Sequence, residues 1–114
     1  LVLNPEIYKT QISSARTFGF LKDVKKLREM KLALGGSLEN AIVLDDNKVL
    51  NKEGLRFTDE FVRHKVLDFL GDISLSGKRI LGSFYTSQSG HSLNIKLIEK
   101  IFENSDNWEL VCSN

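Results

Sequence analysis

Apolar positions along the chain recur at helical spacing in four places, and short β-branched runs lie between them. Leu1-Val2-Leu3 reads as the end of a strand. Asn4-Pro5-Glu6 then supplies an N-cap, a residue whose φ is preset for a first turn, and a negative charge suited to the helix dipole. The spacing predicts a helix to about Ala15, with Ile7, Tyr8 and Ile12 on its apolar stripe. Arg16-Thr17-Phe18-Gly19-Phe20 reads as a loop or short strand. Residues 21–30 form a two-faced helix, with Leu21, Val24 and Leu27 opposite Lys22, Lys25, Lys26 and Glu29.

Gly35-Gly36-Ser37 interrupts this pattern, and it lacks the spacing and following lysine of a phosphate-binding P-loop. Ala41-Ile42-Val43-Leu44, the polar turn Asp45-Asp46-Asn47-Lys48 and Val49-Leu50 predict strand, turn and strand. Thr58 is expected to cap a long helix, with Asp59 and Glu60 in its first turn and Phe61, Leu67 and Leu70 turned to packing. Gly71 and Gly77 bracket a connection, and Gly71 is a candidate helix end. Residues 79–86 have strand character, and Leu93, Leu97, Ile98, Ile101 and Phe102 mark a last amphipathic helix. The pattern predicts an α+β fold, a small β-sheet packed against helices with an inserted strand-helix-strand unit.

Composition narrows the class without naming a function. The 114 residues make one domain's worth of chain, with 41% hydrophobic and 27% charged residues, close to globular averages. A net charge of +1 with dispersed lysines gives no nucleic-acid footprint, and no apolar run approaches a transmembrane span. The single cysteine, Cys112, cannot form an internal disulfide, so the cytoplasm is the default compartment. The chain starts at Leu1 with no signal pattern, as a piece of a longer polypeptide would.

Candidate chemistry gathers on two segments. His64 and Asp68 lie one helical turn apart, a spacing at which an imidazole and a carboxylate can both face a metal ion or simply form a hydrogen-bonded surface pair. Asp72 follows near the same face. His91 is preceded by Gly90, which permits an unusual backbone turn, and followed by helix-terminal amides that favour an oxyanion. There it is either a general acid or electrostatic partner held protonated by an acidic neighbour, or an ordinary exposed turn histidine.

In order and spacing, Arg16-Thr17-Phe18-Gly19-Phe20, Leu34-Gly35-Gly36-Ser37-Leu38-Glu39-Asn40-Ala41, residues 56–72 with His64-Lys65 and Asp68, and Ser89-Gly90-His91 resemble the UDP-3-O-acyl-N-acetylglucosamine deacetylases. These are zinc enzymes of lipid A biosynthesis in Gram-negative bacteria. The resemblance implies that His64 and Asp68 are two of three Zn2+ ligands, His91 the catalytic histidine and Asp72 the carboxylate that orients it. It gives Thr17 a hydroxyl that helps hold the oxyanion, Phe18 a place beside the sugar and Lys65 a contact with the UDP moiety. Leu21, Val24, Ala33, Gly36, Ser37, Ala41 and Val43 fall in its acyl-passage insert, here at about 19–50. Gln88 departs from the lysine expected at its position.

The same resemblance places residues 1–114 in the C-terminal domain, with the third ligand, a histidine, and the general-base glutamate supplied by an N-terminal domain of similar fold. The substrate implied is UDP-3-O-acyl-N-acetylglucosamine, and the chain alone is expected to be inactive. Two other classes compete: a non-catalytic module that binds a nucleotide sugar or acyl chain, and a purely structural domain.

Overall fold

A computed structural model describes residues 1–31 and 35–112 and divides the chain into two compact units, Leu1–His64 and Lys65–Asn114. The first unit opens with α1 (Pro5–Ile7), whose amide at Ile7 donates to the Asn4 side chain at 2.8 Å, the expected cap. It continues as a wider π-helical stretch, Tyr8–Ile12. The hydroxyls of Thr10 and Ser13 donate to the carbonyls of Glu6 and Lys9, competing with the α-helical bonds there. The helix therefore stops short of Ala15, and the wider turn delivers Ile12 to full burial.

Strand β1 (Thr17–Phe20) leads directly into α2 (Leu21–Glu29) and then to β2 (Ala41–Asp45), which runs parallel to β1. A tight turn returns the chain antiparallel as β3 (Lys48–Val49), giving the order β1-β2-β3. This is the strand-helix-strand unit that the apolar pattern predicts. Side chains alternate across a strand, so Phe18 and Ile42 share one face while Thr17, Gly19, Ala41 and Val43 share the other. Ile42 is fully buried, and the ring of Phe18 stands edge-on to Phe61 at 4.8 Å between centroids. A Cβ on Gly19 would lie 3.7 Å from the Val24 side chain, which places α2 against the Gly19 face.

Helix α3 (Glu60–Ser74) begins in the first unit and ends in the second. It starts two residues beyond Thr58, and Gly71 does not end it, so Asp72 lies within the helix. The second unit also holds α4 (His91–Glu103) and a closing 3-10 turn, Ser105–Asn107. Phe69 is buried, with its ring 5.1 Å from that of Phe84.

Two strand expectations are corrected. Residues 1–3 and 79–86 have no regular secondary structure and lie outside the three-stranded sheet. β-branched and aromatic composition favours a pleated surface, but a strand exists only where a neighbour completes its hydrogen-bond ladder. Neither segment has such a neighbour among the described residues.

Candidate functional site

In the second unit, the C-terminal half of α3 and the start of α4 bring three predicted residues together. His91 is the first residue of α4, and its Nδ1–H donates to Asp72 Oδ2 at 2.7 Å. Its Nε2 lies 4.0 Å from Asp68 Oδ2. The histidine is thus helical rather than in the expected turn, and Gly90 is extended, with φ −163° and ψ 168°, a conformation open to any residue. The unusual backbone falls two residues earlier, at Gln88, where φ is 50°.

Electrostatics at this cluster favour a cationic ring. The hydrogen bond and charge of Asp72 raise the His91 pKa above its usual value, and the charge of Asp68 adds to this. Slight burial and nearby Lys65 oppose the shift without reversing it. Partial burial of Asp72 works against its ionisation, but hydrogen bonds from Asn94 and His91 win, so its pKa is lowered and it stays a carboxylate. Asp72 is therefore a fixed negative partner, and it favours the cationic form of the exposed His91 ring.

Asn94 completes the cluster, although its sequence setting did not single it out. It is almost fully buried, and its Nδ2 donates to the same Asp72 oxygen at 2.9 Å. The available signal is an asparagine inside the apolar stripe of α4, one turn after His91, where a buried amide must find a partner.

The first unit positions His64. Its Nδ1 lies 3.0 Å from the carbonyl oxygen of Ala15. A carbonyl only accepts, so Nδ1 carries a hydrogen, and Nε2 is the nitrogen through which the neutral ring would ligate a metal. Asp68, one turn further along α3, keeps a partly exposed carboxylate. An imidazole nitrogen and a carboxylate oxygen are each donor types that zinc takes. Among the described residues, no group of three or more His, Cys, Asp or Glu side chains is placed to hold a metal ion.

The remaining predicted residues fall as follows. Thr17 is exposed at the start of β1, opposite Ala41 in register, and Phe18 is half-buried beside Phe61. Lys65 is half-buried at the start of the second unit. Leu21 and Val24 are half-buried on α2, and Ala41 and Val43 lie on the strand face that Val24 covers. Gly36 accepts a hydrogen bond from Arg28, and Ser37 bonds to Asn40. Ala33 lies outside the described residues.

A second buried network was not anticipated. Glu60 is fully buried and accepts four hydrogen bonds, from the backbone amide, Nε and Nη2 of Arg16 and from the backbone amide of Arg56. The sequence suggested only a charge in the first turn of a helix. Arg16 and Glu60 stand 44 positions apart, so no local periodicity announces the pair.

Comparison with known proteins sets these positions in context. The sequence profile described as UDP-3-O-acyl N-acetylglycosamine deacetylase matches residues 1–103. A curated UDP-3-O-acyl-N-acetylglucosamine deacetylase from Campylobacter hominis is 58% identical over 104 residues, covering 91% of this chain and 35% of its own length. Those of Marinobacter nauticus and Haemophilus influenzae are each 56% identical over 101 residues, covering 89% of this chain and 33% of their own lengths. The chain spans about a third of the length of the curated relatives it matches. With the profile matched across nearly all of its residues, the chain belongs to the UDP-3-O-acyl-N-acetylglucosamine deacetylase family.

Proposed function

We propose that residues 1–114 are the C-terminal domain portion of a two-domain, zinc-dependent cytoplasmic deacetylase. It removes the N-acetyl group of UDP-3-O-acyl-N-acetylglucosamine, the committed step of lipid A biosynthesis. The observation that carries this reading is the imidazole of His91, tied to Asp72 at 2.7 Å and facing Asp68 with its other nitrogen. Amide hydrolysis needs a group that stabilises negative charge as the carbonyl is attacked and a proton for the departing amine. A histidine whose cationic form is favoured by two carboxylates is suited to the first task.

His64 and Asp68 would hold zinc, with the third ligand and the general-base glutamate supplied by an N-terminal domain outside this chain. When bound, zinc provides Lewis acidity and a water of lowered pKa. Asp72 fixes the His91 ring through Nδ1 and leaves Nε2–H to meet the developing oxyanion, and the Thr17 hydroxyl is assigned to the same charge. The departing amine takes its proton from His91 or from the glutamate. Lys65 holds the UDP moiety and Phe18 lies beside the sugar.

The segment at about 19–50 forms the acyl passage, with Leu21, Val24, Gly36, Ser37, Ala41 and Val43 along it. The common face of Val24, Ala41 and Val43 supports this assignment. No helix among the described residues is long and apolar enough to cross a membrane.

A deacetylase assay with Zn2+ tests the division of labour. The purified chain should give no turnover above background, and adding the N-terminal two-thirds of a relative should restore it. Turnover by the chain alone would show that the second domain is not required.

A further inference from the structure

One planar peptide group links the Glu60 network to His64. The group joining Ala15 to Arg16 donates its N–H to Glu60 Oε2 at 2.9 Å, and its carbonyl oxygen meets His64 Nδ1 at 3.0 Å. In a trans peptide these two bonds point in opposite directions. Glu60 and His64 stand one turn apart on α3, so the peptide lies along the helix with an end at each side chain. We propose that Glu60 is a positioning residue for His64, acting through this peptide group as a remote carboxylate partner of the imidazole.

The physical basis is polarisation along a hydrogen-bonded chain. A carboxylate drawing on the amide N–H shifts electron density through the conjugated C–N bond to the carbonyl oxygen, which becomes a stronger acceptor. The His64 Nδ1–H bond is strengthened in turn, and the Nε2 lone pair becomes a better donor to a metal. Direct carboxylate-histidine pairs achieve this across one hydrogen bond, whereas here a peptide group stands between. Burial keeps the chain of bonds out of water: Glu60, Arg16 and Ala15 are all buried. The remaining acceptor positions of Glu60 are taken by the Arg16 side chain and the Arg56 amide, which hold its carboxylate in place. Arg16 is further fixed by donating from Nη2 to the Gly54 carbonyl at 3.0 Å.

The inference rests on His64 being a metal ligand, and the test separates the two ideas. Long-range 15N–1H spectra of the 114-residue chain report the His64 tautomer without metal or substrate, and the same spectra follow a Zn2+ titration. The wild-type ring should carry its hydrogen on Nδ1. Glu60→Gln should move population to the Nε2–H form and weaken Zn2+ binding about tenfold, the low end of the effect of losing such a partner.

Arg16→Lys removes the guanidinium fork but keeps the backbone amide, so it should destabilise the fold while leaving tautomer and Zn2+ affinity unchanged. An equal shift in Arg16→Lys, a wild-type ring protonated on Nε2, or a Glu60→Gln variant matching wild type would overturn the proposal. If Glu60→Gln fails to fold, the wild-type Arg16 amide proton decides: a bond to a carboxylate moves it well downfield, and an ordinary position overturns the relay. Unchanged Zn2+ binding in His64→Ala would instead remove the ligand assignment itself.

Discussion

Glu60 shows how one residue's surroundings reverse its ordinary behaviour. Full burial by itself pushes a carboxyl toward protonation, but the Arg16 side chain, the Arg16 amide and the Arg56 amide outweigh it and hold the pKa down at about 2, from 4.5. Because the folded value lies below the unfolded one, the stabilisation is fully present above about pH 4.5 and lost as pH falls toward 2. It is on the order of 3 kcal/mol. The urea midpoint of the wild-type chain should therefore fall more steeply between pH 5 and 2 than that of Glu60→Gln, which has no carboxylate to titrate. Parallel curves would mean that this carboxyl is not a source of acid lability. At neutral pH the variant should already be weaker, since breaking a buried ion pair costs about 3–5 kcal/mol.

Elements were legible in proportion to how local their causes are. Helices α2 and α4 follow from the spacing of Leu21 and Val24 and of Leu93 to Phe102, because the apolar stripe that defines them lies within one segment. Strand β2 follows from its β-branched residues, whereas the β1 segment left loop and strand open until its parallel pairing with β2, which α2 between them makes possible. Residues 79–86 carry the same composition but form no strand, because pairing depends on a partner that the segment itself does not encode. Within the candidate site, the His64 and Asp68 spacing was legible for the same local reason as the helices. Asn94 and the Arg16–Glu60 pair were not, since each depends on residues far away in the chain.

The sheet's own stability turns on another such residue, Asn51. Its buried amide donates to the carbonyls of Leu38 and Ala41 and accepts from the amide of Val43, tying the return of β3 to the entry and middle of β2. Asn51→Ala strands three backbone groups at once. These bonds are part-buried and Leu38 is exposed, so water replaces part of what is lost and the cost should be about 1–2 kcal/mol. Urea denaturation measures it, and hydrogen exchange at Val43 should quicken in parallel. A loss within about 0.5 kcal/mol, typical of a surface substitution, would show that the side chain is not what holds the strands.

At the scale of the whole chain, what matters is apolar surface that no element covers. Leu81 is 87% exposed and Tyr85 95% exposed, both on an irregular segment outside the sheet. Leu1 and Val2 are likewise exposed at the start of the first unit. Backbone that no ladder pairs, carrying exposed apolar side chains, can pair with a strand of another copy. A net charge of only +1 offers little long-range repulsion to keep copies apart. The 114-residue chain should therefore self-associate, with an average mass in sedimentation equilibrium that rises with concentration. Leu81→Lys combined with Tyr85→Lys should return it toward the monomer, since charges on an unpaired strand oppose edge-to-edge pairing. If the double variant associates as strongly as wild type, residues 79–86 are not the contact, and Leu1→Lys with Val2→Lys tests the other exposed segment by the same measurement.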